Sequence, residues 1–318
     1  MEYRQFVDDV SDCIRFKVER GYDIKVNRIM KNNSIELDGI VFFKEGDMIS
    51  PNIYLNSYYE RYQSGESMES IAEDIIEVYE TSMRTQSEEY CHFNFSFDEM
   101  KDTIVYRLVN YQKNRKLLQE VPHVRFLDLA ITFHCLVKRD GQGIGTIRLT
   151  NEHTSEWKVK IKDLMKLAIT NTTRLFPAKL STMEEVIADI LQKDFSEMYE
   201  TAKEENEAML QAMLSNLLQE QRDPQMYILS NDIGINGATS IIYKDVIKEF
   251  SEEKDCDFYI LPSSIHEVIL VPYEEELEVQ ELRGMVMDVN GSQVPEEEIL
   301  SNRVYIYRRG TNSIEVAE

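Results

Sequence analysis

The sequence predicts an α+β protein, with helical N-terminal and central segments carrying β-hairpins and a compact C-terminal α+β unit after them. Three observations carry this. Apolar residues recur at three- and four-residue steps in several long stretches, shorter runs alternate around turn residues, and no repeat of fixed period runs through the chain. The 318 residues are 42% hydrophobic and 29% charged, enough apolar material for a core that needs no metal or disulfide.

Tyr3, Phe6, Val7, Val10, Cys13, Ile14 and Val18 have helical spacing, and Gly21 follows as a C-terminal cap. Ile24 to Met30 and Ile35 to Phe43 alternate around the turn Lys31-Asn32-Asn33-Ser34, which predicts a hairpin. Beyond Pro51, Ile53 to Gln63 and Met68 to Met83 read as two helices broken at Ser64-Gly65. Ser96-Phe97-Asp98-Glu99 has the form of a capping box, and Met100, Ile104, Val105, Leu108 and Val109 continue it as a helix.

Phe126 to Val137 reads as a buried strand, joined by the glycine-rich turn Lys138 to Gly145 to a strand containing Ile147 and Leu149. Residues 155 to 192 read as mostly helical, with a second capping box at Ser181-Thr182-Met183-Glu184. Residues 194 to 222, with Met209, Met213, Leu214, Leu217 and Leu218 on one face, read as a charged connecting helix. Four strands follow, Met226 to Leu229, Phe258 to Leu261, Glu267 to Val271 and Val304 to Tyr307, with helices at Tyr243 to Phe250 and Leu277 to Val289. The expected organisation is therefore an α+β region at 1–193, the connecting helix at 194–222 and an α+β region at 223–318.

The formal charge of −23 divides unevenly, at −11 for residues 1–100, +3 for 101–200 and −15 for 201–318. An acidic surface repels nucleic acid and anionic lipid, so direct nucleic-acid binding and membrane association are not expected unless the central bases gather into one patch. The N-terminal MEYRQFVDDVSD has acids where a signal peptide has bases, and no later segment is apolar for about 18 residues, so the expected compartment is the cytoplasm. Cys13, Cys91, Cys135 and Cys256 are scattered without paired spacing, which predicts neither a disulfide framework nor a zinc site.

Leu261-Pro262-Ser263-Ser264-Ile265-His266-Glu267-Val268 places hydroxyls, an imidazole and a carboxylate at the mouth of a strand. Ser264, His266 and Glu267 are the candidates for catalysis, with Asp128 or His134 brought near by folding. Against that, adjacent residues of an extended segment face opposite ways, and serines in such turns bond to backbone. Asp140 to Gly145 lacks the following helix that a phosphate-binding glycine loop needs, and reads as a hairpin tip. Cys91-His92 and His134-Cys135 are adjacent pairs, poorly spaced to share one ion, and in a strand one of His134 and Cys135 should be core and the other surface. No cofactor and no metal is expected. Tyr54, Tyr58, Tyr59 and Tyr62 cluster on one predicted helix, as core packing or as a partner surface.

Leu37-Asp38-Gly39-Ile40, Ser50-Pro51-Asn52-Ile53-Tyr54-Leu55-Asn56, Phe126-Leu127-Asp128-Leu129-Ala130-Ile131, Ala168-Ile169-Thr170-Asn171-Thr172 and Tyr259 to Val271 together carry a resemblance. The chain resembles a domain-of-unknown-function family, number 5688, from anaerobic gram-positive bacteria, over nearly its whole length. It is also distantly similar, through Leu164, Ala168 and Asn171, to another uncharacterised family of predicted cytoplasmic bacterial proteins. The resemblance implies a bacterial, cytoplasmic protein and brings no catalytic residue or cofactor with it. The reading that fits these features is a non-enzymatic binding or accessory protein, with a protein partner or self-association. The alternatives are a hydrolase using Ser263 to Glu267, or an acidic inhibitor of a DNA-binding protein whose Glu204-Glu205, Glu274 to Glu276 and Glu296 to Glu298 mimic phosphates.

Overall fold

The computed structural model describes residues 1–18, 21–44, 50–86, 95–140, 143–198 and 225–318, and the fold is α+β. The described chain divides into two units, Met1–Ser96 and Phe97–Glu318. Most of the segment expected to be a connecting helix, with Cys91-His92 and Glu204-Glu205, lies outside the described residues.

In the first unit α1 (Tyr3–Lys17) is followed by an antiparallel sheet of β1 (Tyr22–Met30), β2 (Glu36–Lys44) and β3 (Asn52–Tyr54), then α2 (Asn56–Gln63) and α3 (Met68–Gln86). Val26 pairs with Ile40 across the hairpin, so Ile24, Ile40 and Phe42 face the same side. There they meet Phe6, Val10 and Ile14 of α1 and Ile71, Ile75 and Tyr79 of α3, with the Phe42 and Tyr79 rings stacked at 4.3 Å. Gly65, at φ +103°, makes the break between α2 and α3 that its sequence predicts. Ile53 and Tyr54 are strand, not helix, because they pair with Ile40 and Gly39 at the free side of β2.

The second unit holds two antiparallel sheets. The smaller comprises β4 (Ile104–Asn110), β5 (His123–Phe126), β6 (Leu129–Asp140) and β7 (Gly143–Arg148), with β6 paired to all three others. The larger runs in the order β13 (Ser313–Val316), β12 (Tyr305–Arg308), β10 (Phe258–Leu261), β11 (Val268–Pro272), β9 (Tyr227–Asn231), β8 (Ala178–Thr182). The helices are α4 (Phe97–Met100), α5 (Asn151–Glu156), α6 (Ile161–Leu175), α7 (Met183–Met198), α8 (Val246–Lys254) and α9 (Val279–Ser292). No described helix is long and apolar enough to cross a membrane.

Three expectations are corrected here. The helix expected after Ser96 stops at Met100, and Ile104–Asn110 is a strand whose Ile104, Val105 and Tyr106 are all buried. A short run that is apolar on both faces fits either period, and its β-branched and aromatic residues decide for the strand. The helical stretch expected over 155–192 is interrupted by β8, because Pro177 ends α6 and the chain leaves it extended. The capping box of α7 sits one residue later than expected: Thr182 Oγ1 accepts from Glu185 N at 3.1 Å, and Glu185 accepts from Thr182 N at 2.9 Å.

α6 is fixed to β4 by side chains rather than by apolar contact alone. Asn171 Nδ2 donates to the carbonyls of Lys101 and Ile104 at 2.8 and 3.0 Å, and Thr172 Oγ1 accepts from Tyr106 N at 3.0 Å. Leu164 and Ala168, on the same face, are fully buried. Substituting Asn171→Ala leaves two carbonyls unpaired and should destabilise the protein by about 2 kcal/mol, read as a lowered urea midpoint at unchanged slope.

Candidate functional site

The loop after β10 was the most reactive-looking stretch, and its chemistry is spent internally. Residues 262–265 run beside 298–301: Ser264 bridges Ile299, Ile265 N donates to Glu298 O at 2.9 Å, and Leu300 N to Ser263 O at 3.0 Å. The Ser264 hydroxyl is buried and accepts from His266 N at 2.9 Å. The His266 ring points elsewhere, with Nδ1 3.2 Å from Gly234 O and Nε2 3.3 Å from Glu298 Oε1. Burial raises the Glu267 carboxyl, while His266 and the Ser264 hydroxyl pull it down. Gly237 lies against this loop so closely that a Cβ there would meet His266 O at 2.5 Å.

Asp128 does reach this region, but by way of other residues. Its carboxylate accepts from Ser301 Oγ and from Tyr305 OH, each at 2.7 Å. His134 stands apart on β6, bonded to Thr132 Oγ1 at 3.1 Å. His134 and Cys135, expected as one core and one surface residue, are both buried, because β6 is covered on its two faces. Among the described residues no group of three or more His, Cys, Asp or Glu is placed to hold a metal ion.

The tyrosines divide between roles. Tyr58 is buried, Tyr59 and Tyr62 pack on Phe6 with ring centres 5.3 and 5.5 Å apart, and Tyr59 OH donates to Met1 O. Tyr54 is on β3, beneath the Lys31 ammonium at 4.0 Å. Tyr59 and Tyr62 thus hold α2 on α1.

A different site emerges from the register of the smaller sheet. Arg107 on β4 and His123 on β5 both lie opposite Thr132, and Arg148 on β7 lies opposite His134. Directly opposed residues share a face, as do residues two apart, so Arg107, His123, Thr132, His134 and Arg148 belong to one face of the sheet. Two arginines of the slightly positive central third, Arg107 and Arg148, lie on it. His123 Nδ1 is 3.1 Å from Val121 O, which assigns that nitrogen its proton. Arg107 is half-buried and, among the described residues, makes no hydrogen bond or ion pair. Burial first, and Arg148 second, pull its guanidinium down to about 10. Burial, then Arg107 and Arg148, hold His134 far below its usual value, so at neutral pH it is an uncharged hydrogen-bonding group. The face offers positive charge and uncharged hydrogen-bonding groups. Only strand register brings these residues together, and no sequence motif marked them.

The profile of one family matches residues 3–309. The chain belongs to that family of unknown function, DUF5688. Comparison with curated proteins and with solved structures found no match. The stretches that carry the family resemblance are places where segments are tied together. Leu37–Ile40 and Ser50–Asn56 meet where Leu55 N donates to Asp38 O at 2.9 Å and Asp38 N to Asn56 Oδ1 at 3.3 Å. Phe126–Ile131 contains Asp128, Ala168–Thr172 contains Asn171 and Thr172, and Tyr259–Val271 is the strand-loop-strand around Ser264.

His134 predicts a pH dependence. Unfolded, it titrates near 6.5. Folded, it stays neutral well below that, so from about pH 6.5 downward the unfolded chain binds a proton that the folded chain does not, and stability falls. The loss attributable to His134 should approach about 1.4 kcal/mol per pH unit below 6.5. Urea unfolding at pH 7.5 and 5.5 should show it for the wild type and a correspondingly smaller loss for His134→Gln. Equal losses in the two proteins would remove His134 from the account.

Proposed function

We propose that this is a non-enzymatic binding protein of the bacterial cytoplasm, and that its second unit takes a small anion bearing phosphate or carboxylate groups on the Arg107 face of the smaller sheet. The observation that carries this reading is Arg107 itself, a half-buried guanidinium next to Arg148 with no hydrogen bond or ion pair among the described residues. A guanidinium held partly out of water beside a like charge gains from an anion twice, by relief of repulsion and by charge-assisted hydrogen bonds. Thr132 and the neutral His134 add uncharged polar atoms on the same face. The strongly acidic remainder of the surface favours a small ligand over nucleic acid, whose many phosphates it repels.

A hydrolytic use of Ser264 has less support, since its hydroxyl accepts from backbone and the His266 ring turns toward Gly234 and Glu298. A protein partner or self-association is compatible with the anion site, because a carboxylate on another chain presents the same group.

Titration calorimetry with inorganic phosphate and with citrate tests the proposal. At least one should bind saturably, and Arg107→Gln should weaken it about tenfold or more while leaving the unfolding free energy from urea titration within about 1 kcal/mol of the wild type. Failure of both anions to bind the folded wild type, or equal binding by Arg107→Gln, overturns it.

A further inference from the structure

A second site lies at the opposite chemistry, on the larger sheet. Between β10, β12, β13 and the first turn of α9 there is a cavity of about 600 Å³, within the range of small-molecule sites. Its floor includes Ile306, Val279 and Ala317. Its aromatic wall is Tyr259 and Tyr273, with ring centres 5.4 Å apart and planes at 44°. The remaining side chains are charged: Arg308, Glu315 and Glu318.

Two features say what would fit. Tyr259 is 4% exposed, yet among the described residues nothing hydrogen-bonds to its hydroxyl. That hydroxyl is open to the cavity, where it can pair with a ligand's polar group. The charge of the lining is also unbalanced. Arg308 is already held by Asp257 at 3.2 Å and Glu315 at 3.5 Å, and its guanidinium covers Tyr273 at 5.2 Å. Arg308 offsets Glu315, so the Glu318 carboxylate leaves the lining one charge negative.

We propose that this cavity binds a small planar aromatic molecule carrying an ammonium group, the ring against Tyr259 and Tyr273 and the ammonium toward Glu315 and Glu318. Aromatic walls favour a flat ring in offset or tilted contact, and a carboxylate rim selects a cation over an anion of the same shape. The site is independent of the Arg107 face and prefers the opposite charge, so the two proposals stand or fall separately.

Tryptamine and indole-3-acetate share a ring and differ in charge, which makes them the discriminating pair of probes. Amide chemical-shift titration of the full chain should show saturable binding of tryptamine, with shifts at residues 259, 273, 306 and 315, and at least tenfold weaker binding of indole-3-acetate. Tyr259→Phe keeps the ring and removes the hydroxyl, and should weaken tryptamine about threefold to tenfold. Glu315→Gln should weaken it about threefold and narrow the preference over indole-3-acetate. Thermal unfolding of each variant verifies that it is folded. The proposal is overturned if tryptamine does not bind the wild type at millimolar concentration, if indole-3-acetate binds as well, or if both variants bind tryptamine as the wild type does.

Discussion

The second unit depends on one carboxylate. Asp128 lies in the turn between β5 and β6, where Leu127 takes a left-handed conformation at φ +53°, and Tyr111 N donates to the Asp128 carbonyl at 3.0 Å. Its side chain reaches out of the smaller sheet to Ser301 and Tyr305, which belong to the larger one and its approach, and both are almost wholly buried. Two hydroxyls that would otherwise be stranded in the interior are satisfied by a single acceptor, and burial, then the proximity of that charge, keeps the Tyr305 phenol protonated far above its ordinary range. Around this point the neighbouring backbone is stitched as well, by Asn110 Nδ2 to Leu300 O and Asn290 Nδ2 to Ser301 O, each at 2.9 Å. An apolar contact could slide, but this set of directional bonds fixes one arrangement of the two sheets.

Much of the first unit was legible in the sequence, because local signals there agree with the tertiary result. The helical period of α1, the Asn-rich turn at 31–34 and the break at Gly65 all specify what they appear to specify. Legibility failed where burial is two-sided. β4 has apolar residues on both faces, so its period is ambiguous, and the capping-box sequence at Ser96 preceded only one turn of helix. β8 was hidden between two helices, though Pro177 marked the place.

The sites were harder to read than the elements for a related reason. Ser264, His266 and Glu267 are neighbours in sequence and looked like a reactive set, yet their bonds run to backbone at 234, to each other and to Glu298. Arg107, Thr132, His134 and Arg148 come from three strands spread over some forty residues, and only the register unites them. Asn171 gave a motif without a meaning until the carbonyls of Lys101 and Ile104 were found at its amide.

The larger sheet ends at β13 on one side and β8 on the other. Both are short, and each presents charge: Glu315 is exposed on β13, and Lys179 is exposed on β8 beside Asp189. A strand arriving from another molecule would have to strip water from these groups to continue the hydrogen-bond ladder. The chain carries a six-stranded, largely apolar sheet at the concentrations of a cell, and its two margins are built so that the sheet stops growing where the molecule does.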